Sequence, residues 1–165
     1  MHMTASLSPN LLRITGLAAT LLAGGALPAS AAAILDPTDD FLSSFIGTKG
    51  GDLDVLSAQV FYDGTKFTFT STENAPIGTT AGTLYVWGVD RGTNNAPFGA
   101  FRPGVLFDAV VILRPDGTGI VIDTTGALPA ANLPAGSITI AGNTITGTVD
   151  KSLLPSLGFS RSNFW

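Results

Sequence analysis

The sequence predicts an all-β domain, most simply a two-sheet antiparallel β-sandwich of jelly-roll-like form with seven to eight strands, and a barrel as second choice. Three observations carry this expectation. Between Gly51 and Thr72, two runs of alternating apolar and polar residues flank Asp63-Gly64, a dipeptide that tolerates positive φ and closes tight hairpins. A nearly continuous apolar run, residues 106–113, leads into Arg114-Pro115-Asp116-Gly117, and a third pair of short runs flanks Gly142-Asn143. Twenty Gly, ten Pro and frequent Thr among short apolar segments suit turns and strands, not helices.

In the first hairpin, a two-residue turn at Asp63-Gly64 sets Val60 against Phe67 and Ala58 against Phe69, with Ser57, Gln59, Thr68 and Thr70 on the opposite, wet face. Residues 83–89 follow as a strand with Leu84 and Val86 on one side and Tyr85, Trp87 and Val89 on the other. Both sides are apolar, so either the strand is covered on both or one row is exposed. Residues 90–104 form a long connection of the kind that carries binding loops. Residues 106–113 and 119–123 pair across Asp116-Gly117, and residues 137–141 and 144–149 pair across Gly142-Asn143 with Ile140 facing Ile145. Asp150 is placed to cap a single helical turn that Gly158 stops.

The chain has 165 residues, a length for one domain, and residues 1–31 read as a leader to be removed from it. Arg13 supplies the positive start, residues 14–27 an uncharged apolar run, and Ala29-Ser30-Ala31 the small-x-small cleavage pattern, with Ala33 as a second cut. The run is too short, and too broken by Gly24, Gly25 and Pro28, to span a bilayer. The expected product is a secreted or periplasmic domain of residues 32–165 with no membrane span. Phe164-Trp165 look like the start of a further strand, so the expectation includes either a longer reading frame or an end packed back on the sheet.

Without the leader, the chain keeps no His, Met or Cys. That excludes Ser-His-Asp and Cys-His nucleophilic systems and the usual zinc, copper and haem sites, and leaves only oxygen chemistry. Charged residues make up 12% and the pI is near 4.6, with no basic cluster to meet a phosphate backbone, so nucleic acid is not an expected partner.

Two groups of residues are candidate sites. Asp36, Asp39, Asp40, Asp52 and Asp54 could, with backbone carbonyls, complete an oxygen shell for Ca²⁺, the one cofactor the sequence suggests. They could equally be turn residues bonded to local amides. Tyr85 and Trp87 with Asp90, Arg91, Asn94, Asn95 and Arg102 have the mixture that holds sugars, a ring under the C–H face and polar groups on the hydroxyls. The alternative is that the aromatic row belongs to the core. Residues 121–127 have the Asp-Thr-Gly flavour of an aspartic protease loop, but an extra Thr breaks the spacing and no second copy exists. Glu73, the only Glu, and Asp108, set in an apolar strand, are the remaining carboxylates for hydrolysis, and an enzyme is not the expectation.

Over GDLDVLSAQVFYDGTKFTF, LYVWGVDRG, VLFDAVVILRPDGTG and ITGTVDKSLLPSLGF, the chain resembles a group of small exported bacterial proteins without an assigned activity. In hairpin order it is also similar to the DOMON and family 9 carbohydrate-binding sandwiches. That resemblance implies a sugar-binding or structural role, since the axial Met and His of the haem-binding members are absent after the leader. The expected function is a non-catalytic module for extracellular or envelope carbohydrate. The alternative is a structural or adhesive envelope protein with Thr-rich faces and no small-ligand site.

Overall fold

The structure, a computed structural model, describes residues 29–100, 102 and 104–159. The expected leader, apart from its last three residues, and Phe164-Trp165 therefore lie outside the described residues. The elements are β1 (Ala29–Ser30), β2 (Ile34–Leu35), β3 (Val55–Tyr62), β4 (Lys66–Glu73), β5 (Tyr85–Val89), β6 (Ala109–Leu113), β7 (Gly119–Asp123), β8 (Ala131–Asn132), β9 (Ile138–Ala141) and β10 (Thr144–Asp150). They form two antiparallel sheets. The larger has six strands in the order β1-β3-β4-β10-β9, with β2 also pairing β3, and the smaller is the meander β5-β6-β7-β8. The sheets share no ladder, so the fold is a sandwich and does not close into a barrel.

Alternation decides which side of each strand is buried. Tyr62, Phe67, Phe69, Ile145 and Val149 face inward from the larger sheet and meet Tyr85, Val89, Ala109, Val111, Leu113 and Val121 from the smaller. Aromatic rings fill one end: Tyr62 stacks on Phe67 with centroids 4.4 Å apart, and Phe69 tilts onto Trp87 at 5.4 Å. Leu113 fits over Gly147, where an added Cβ would stand 2.5 Å from Leu113 Cδ2. At the same end as the Tyr62–Phe67 pair, where Asp150 lies opposite Lys66, Asp150 accepts from Ser152 N (2.9 Å) and starts a three-residue 3₁₀ turn, Lys151–Leu153, that seats Leu154 in the core. The expected cap is present, and the turn is shorter than the segment assigned to it.

The first hairpin has the expected faces in a different register. Tyr62 pairs with Phe67 and Val60 with Phe69, two residues along from the two-residue turn at Asp63-Gly64. The Asp63 carboxylate causes the shift by accepting from Thr65 N, Thr65 Oγ1 and Lys66 N at 2.7 Å each, so the reversal centres on Gly64-Thr65. A slip of two residues leaves every side chain on its own face. The strand expected at 106–113 begins only at Ala109, because Asp108 turns its carboxylate back onto the 91–93 loop. Ile145 faces Ile140 as expected. No helix among the described residues is long and apolar enough to cross a membrane.

Candidate functional site: two side-chain clusters and an open threonine face

The residues expected to hold a sugar are split between core and loop. Tyr85 is buried, and its hydroxyl accepts from Gly78 N (3.0 Å); burial raises its pKa. Trp87 is half-buried against Phe69. Arg91 is wholly buried: Nε meets Asp108 Oδ1 at 2.6 Å, while Nη2 meets Asp123 Oδ2 at 2.8 Å and donates to Asp108 O at 2.9 Å. Its Nη1 has no partner among the described residues. On the loop side, Asp90 accepts from Gly92 N (2.9 Å), exposed Asn94 is left-handed at φ 57, and Asn95 donates to Thr124 Oγ1 (3.1 Å). Exposed Arg102 donates its backbone N–H to Phe98 O (2.6 Å). The inward row of the sheet therefore gives this loop no aromatic floor.

The buried ion cluster ties two loops to the smaller sheet. Asp108 also accepts from Thr93 N (3.1 Å) and Thr93 Oγ1 (2.7 Å). Burial works to raise its pKa, but bonds from Arg91 and Thr93 outweigh it and hold the carboxyl below its usual range. At Asp123, burial is likewise outweighed by bonds from Thr125 and Arg91, and the pKa falls to about 2. Both groups are ionised salt-bridge partners, a poor starting point for general acid work.

The carboxylates considered for Ca²⁺ separate as well. Asp36, Asp39 and Asp40 are exposed, whereas Asp52 and Asp54 are buried. Asp52 accepts from Thr80 N (2.8 Å), Thr80 Oγ1 and Thr83 Oγ1, and Asp54 accepts from Asp39 N and Asn74 Nδ2 at 3.0 Å each. Among the described residues, no three acidic side chains converge to hold a metal ion. Glu73 lies fully buried beside them, with Oε1 taking the Ser71 hydroxyl and Oε2 unpartnered among the described residues. Burial raises its pKa and the charges of Asp52 and Asp54 push it the same way, against the Ser71 bond. Elsewhere Asp63, Asp116, Asp123 and Asp150 each take the N–H and hydroxyl of the residue two further on, Thr65, Thr118, Thr125 and Ser152.

The outer face of the larger sheet is of a different kind. β4 carries Thr68, Thr70 and Thr72 outward, β10 carries Thr144, Thr146 and Thr148, and the register sets Thr68 beside Thr148, Thr70 beside Thr146 and Thr72 beside Thr144. Two of these pairs join their hydroxyls, at 3.4 Å for Thr70 and Thr146 and 3.0 Å for Thr72 and Thr144. The rows extend to Thr139 on β9, opposite Thr146, and to Gln59 and Ser57 on β3, opposite Thr70 and Thr72. The signal for this face is the repeated Thr-x-Thr-x-Thr of residues 68–72 and 144–148, but it becomes one surface only through a ladder joining strands more than seventy residues apart. The polar members of an apolar cleft of about 220 Å³ beside β7, Asp123 and Ser152, are already engaged by Arg91 and Asp150.

No family model matches this chain, and no curated protein or solved structure matches it.

Proposed function

We propose that the chain is an exported, non-catalytic surface-binding module, secreted or periplasmic, that acts through the threonine face of its larger sheet. The observation that carries this reading is the division of side chains between the two faces of β4. Phe67 and Phe69 are spent on the core, and Thr68, Thr70 and Thr72 are left in one in-register field with the threonines of β10. Such a field has regular hydroxyls and methyls and no enclosed volume, so it suits an extended surface better than a small solute. Of the two roles expected from the sequence, this supports the adhesive one, because Tyr85 is in the core and Arg91 is committed to Asp108 and Asp123.

The test is co-sedimentation of the purified protein with insoluble envelope and extracellular solids: peptidoglycan sacculi, chitin and cellulose. T70K/T146K, which places two ammonium groups in the middle of the field, is expected to lose retention, and V86K on the outer side of the smaller sheet to keep it. Retention on a soluble-glycan array that disappears in N94A/N95A and survives in T70K/T146K would move the function to the 90–104 loop and overturn the proposal.

A further inference from the structure

We infer that the end of the leader is a strand of the folded domain and that folding closes the cleavage site, so that the Ala31–Ala32 bond is cut only while the edge of β3 is open. The inference rests on the export reading and gives the order of two steps within it. The small-x-small pattern Ala29-Ser30-Ala31 runs antiparallel to the end of β3, with Ala29 opposite Tyr62 and Ser30 opposite Phe61. Beyond that ladder, Ala31 N donates to Val60 O (3.1 Å), and Ala31 O accepts from Gln59 Nε2 (3.0 Å). That oxygen belongs to the scissile carbonyl. Both backbone polar groups of the residue ahead of the cut are therefore held by β3.

A peptidase reads its substrate as an extended strand, pairing with the substrate backbone and drawing the scissile carbonyl oxygen into an oxyanion hole. In the folded chain, β3 holds the backbone that the enzyme must pair with, and Gln59 holds the oxygen that the hole must take. Hydrolysis adds water to the Ala31 carbonyl carbon and breaks its bond to Ala32 N, leaving a carboxylate on Ala31 and an amine on Ala32. The carbonyl oxygen must leave Gln59 before that step. After the cut, the rest of the segment stays on β3: Ile34 and Leu35 pair with Ala58 and Ser57, Asp36 N donates to Leu56 O (3.0 Å), and Asp39 N donates to Asp54 Oδ2 (3.0 Å). β1 is a two-residue edge strand, an element that opens locally without global unfolding, so the closure slows cleavage and does not abolish it.

The experiment incubates the purified full-length chain in detergent micelles with a purified signal peptidase that is active on a control precursor. Intact mass gives the cut position and the initial rate, once for folded protein and once for protein diluted from urea into the enzyme. The diluted chain is expected to be cut after Ala31, and the folded chain at the same bond roughly 10- to 100-fold more slowly, the range that two or three net hydrogen bonds set. Q59A changes an exposed side chain and should melt near the wild-type temperature. Its folded form should be cut faster than folded wild type, while the two diluted forms are cut alike. Amide exchange reads the closure without the enzyme: the Ala31 N–H should exchange more slowly in the folded chain than in urea. Equal rates for folded and diluted wild type, at Ala31 or at Ala33, overturn the inference and leave the export reading in place. An unprotected Ala31 amide in the folded chain, or folded Q59A cut no faster than folded wild type, does the same. No cut after Ala31 or Ala33 in either form overturns the export reading, and the inference with it.

Discussion

Replacing Asp108 by alanine tests the account of how the smaller sheet is tied to its loops. The wild-type carboxylate accepts from Arg91 Nε at 2.6 Å, from Arg91 N at 3.2 Å, and from Thr93 N and Oγ1. D108A removes all of these acceptors at once. It leaves a guanidinium with no solvent exposure, one remaining carboxylate at Asp123, and an Nη1 already without a partner among the described residues. Breaking a buried ion pair by deleting one member costs roughly 3 to 5 kcal/mol, since the survivor's desolvation is no longer offset. For a domain of this size, that lowers the melting temperature by about 10 to 20 °C. The loss should extend to the C-terminal closure, because Arg91 O accepts from Leu157 N (2.8 Å) and Gly158 N (3.0 Å). Thermal and urea unfolding at pH 7 measure the first effect, and amide exchange at Leu157 and Gly158 the second. R91M/D108L removes the buried cation together with Asp108 and leaves Asp123 bonded to Thr125 N and Oγ1, so it should be more stable than D108A, which keeps the cation. A D108A midpoint within about 1 kcal/mol of wild type would refute the reasoning, since the buried guanidinium would then be tolerated alone.

Acid should act on the same cluster. The folded-state pKa of Asp123 is about 2 against an ordinary 3.8, and that of Asp108 is also lowered, so their stabilisation is present above about 3.8 and is lost as pH falls towards 2. Wild type should therefore lose stability steeply across that window, and D108A less steeply, as followed by urea midpoints at stepped pH. Glu73 has the opposite sign: with its folded pKa raised above 4.5, its contribution is complete below that pH and declines as pH rises through the folded value. E73Q should match wild type near pH 4 and exceed it at pH 7, and a variant less stable than wild type at pH 7 would contradict the assignment. G147A drives a Cβ to 2.5 Å from Leu113 Cδ2 and 2.8 Å from Cδ1, and such overpacking should cost about 1 to 3 kcal/mol in urea unfolding.

How far these features could be read from the residues depends on how local their causes are. The hairpins at Gly117 and Gly142 are written into neighbouring residues, whose positive φ of 81 and 60 suits glycine, and their strands follow. The first hairpin shows the limit of that reading. Asp63-Gly64 announces a reversal, but the side-chain bonds of Asp63 choose its centre, and the apolar stripe cannot object because a two-residue slip preserves it. Arg91 was harder to place. In sequence it sits beside Asp90 in a polar loop, while its partners lie 17 and 32 residues away. A charged residue at the mouth of an apolar strand, Asp108, was the one sign that some cation had to come to it. The direction of the Tyr85 and Trp87 row was undetermined for the same reason. Val86 on the other side is aliphatic too, and only the packing of Phe69 against Trp87 decides which row is covered. The threonine field is the extreme case. Each Thr-x-Thr-x-Thr run alone is an ordinary wet strand face, and it becomes a two-dimensional lattice because β10 returns to lie beside β4 in perfect phase. A surface built by non-local pairing is invisible to motif reading, which points to the polar loop after β5 and passes over the sheet face.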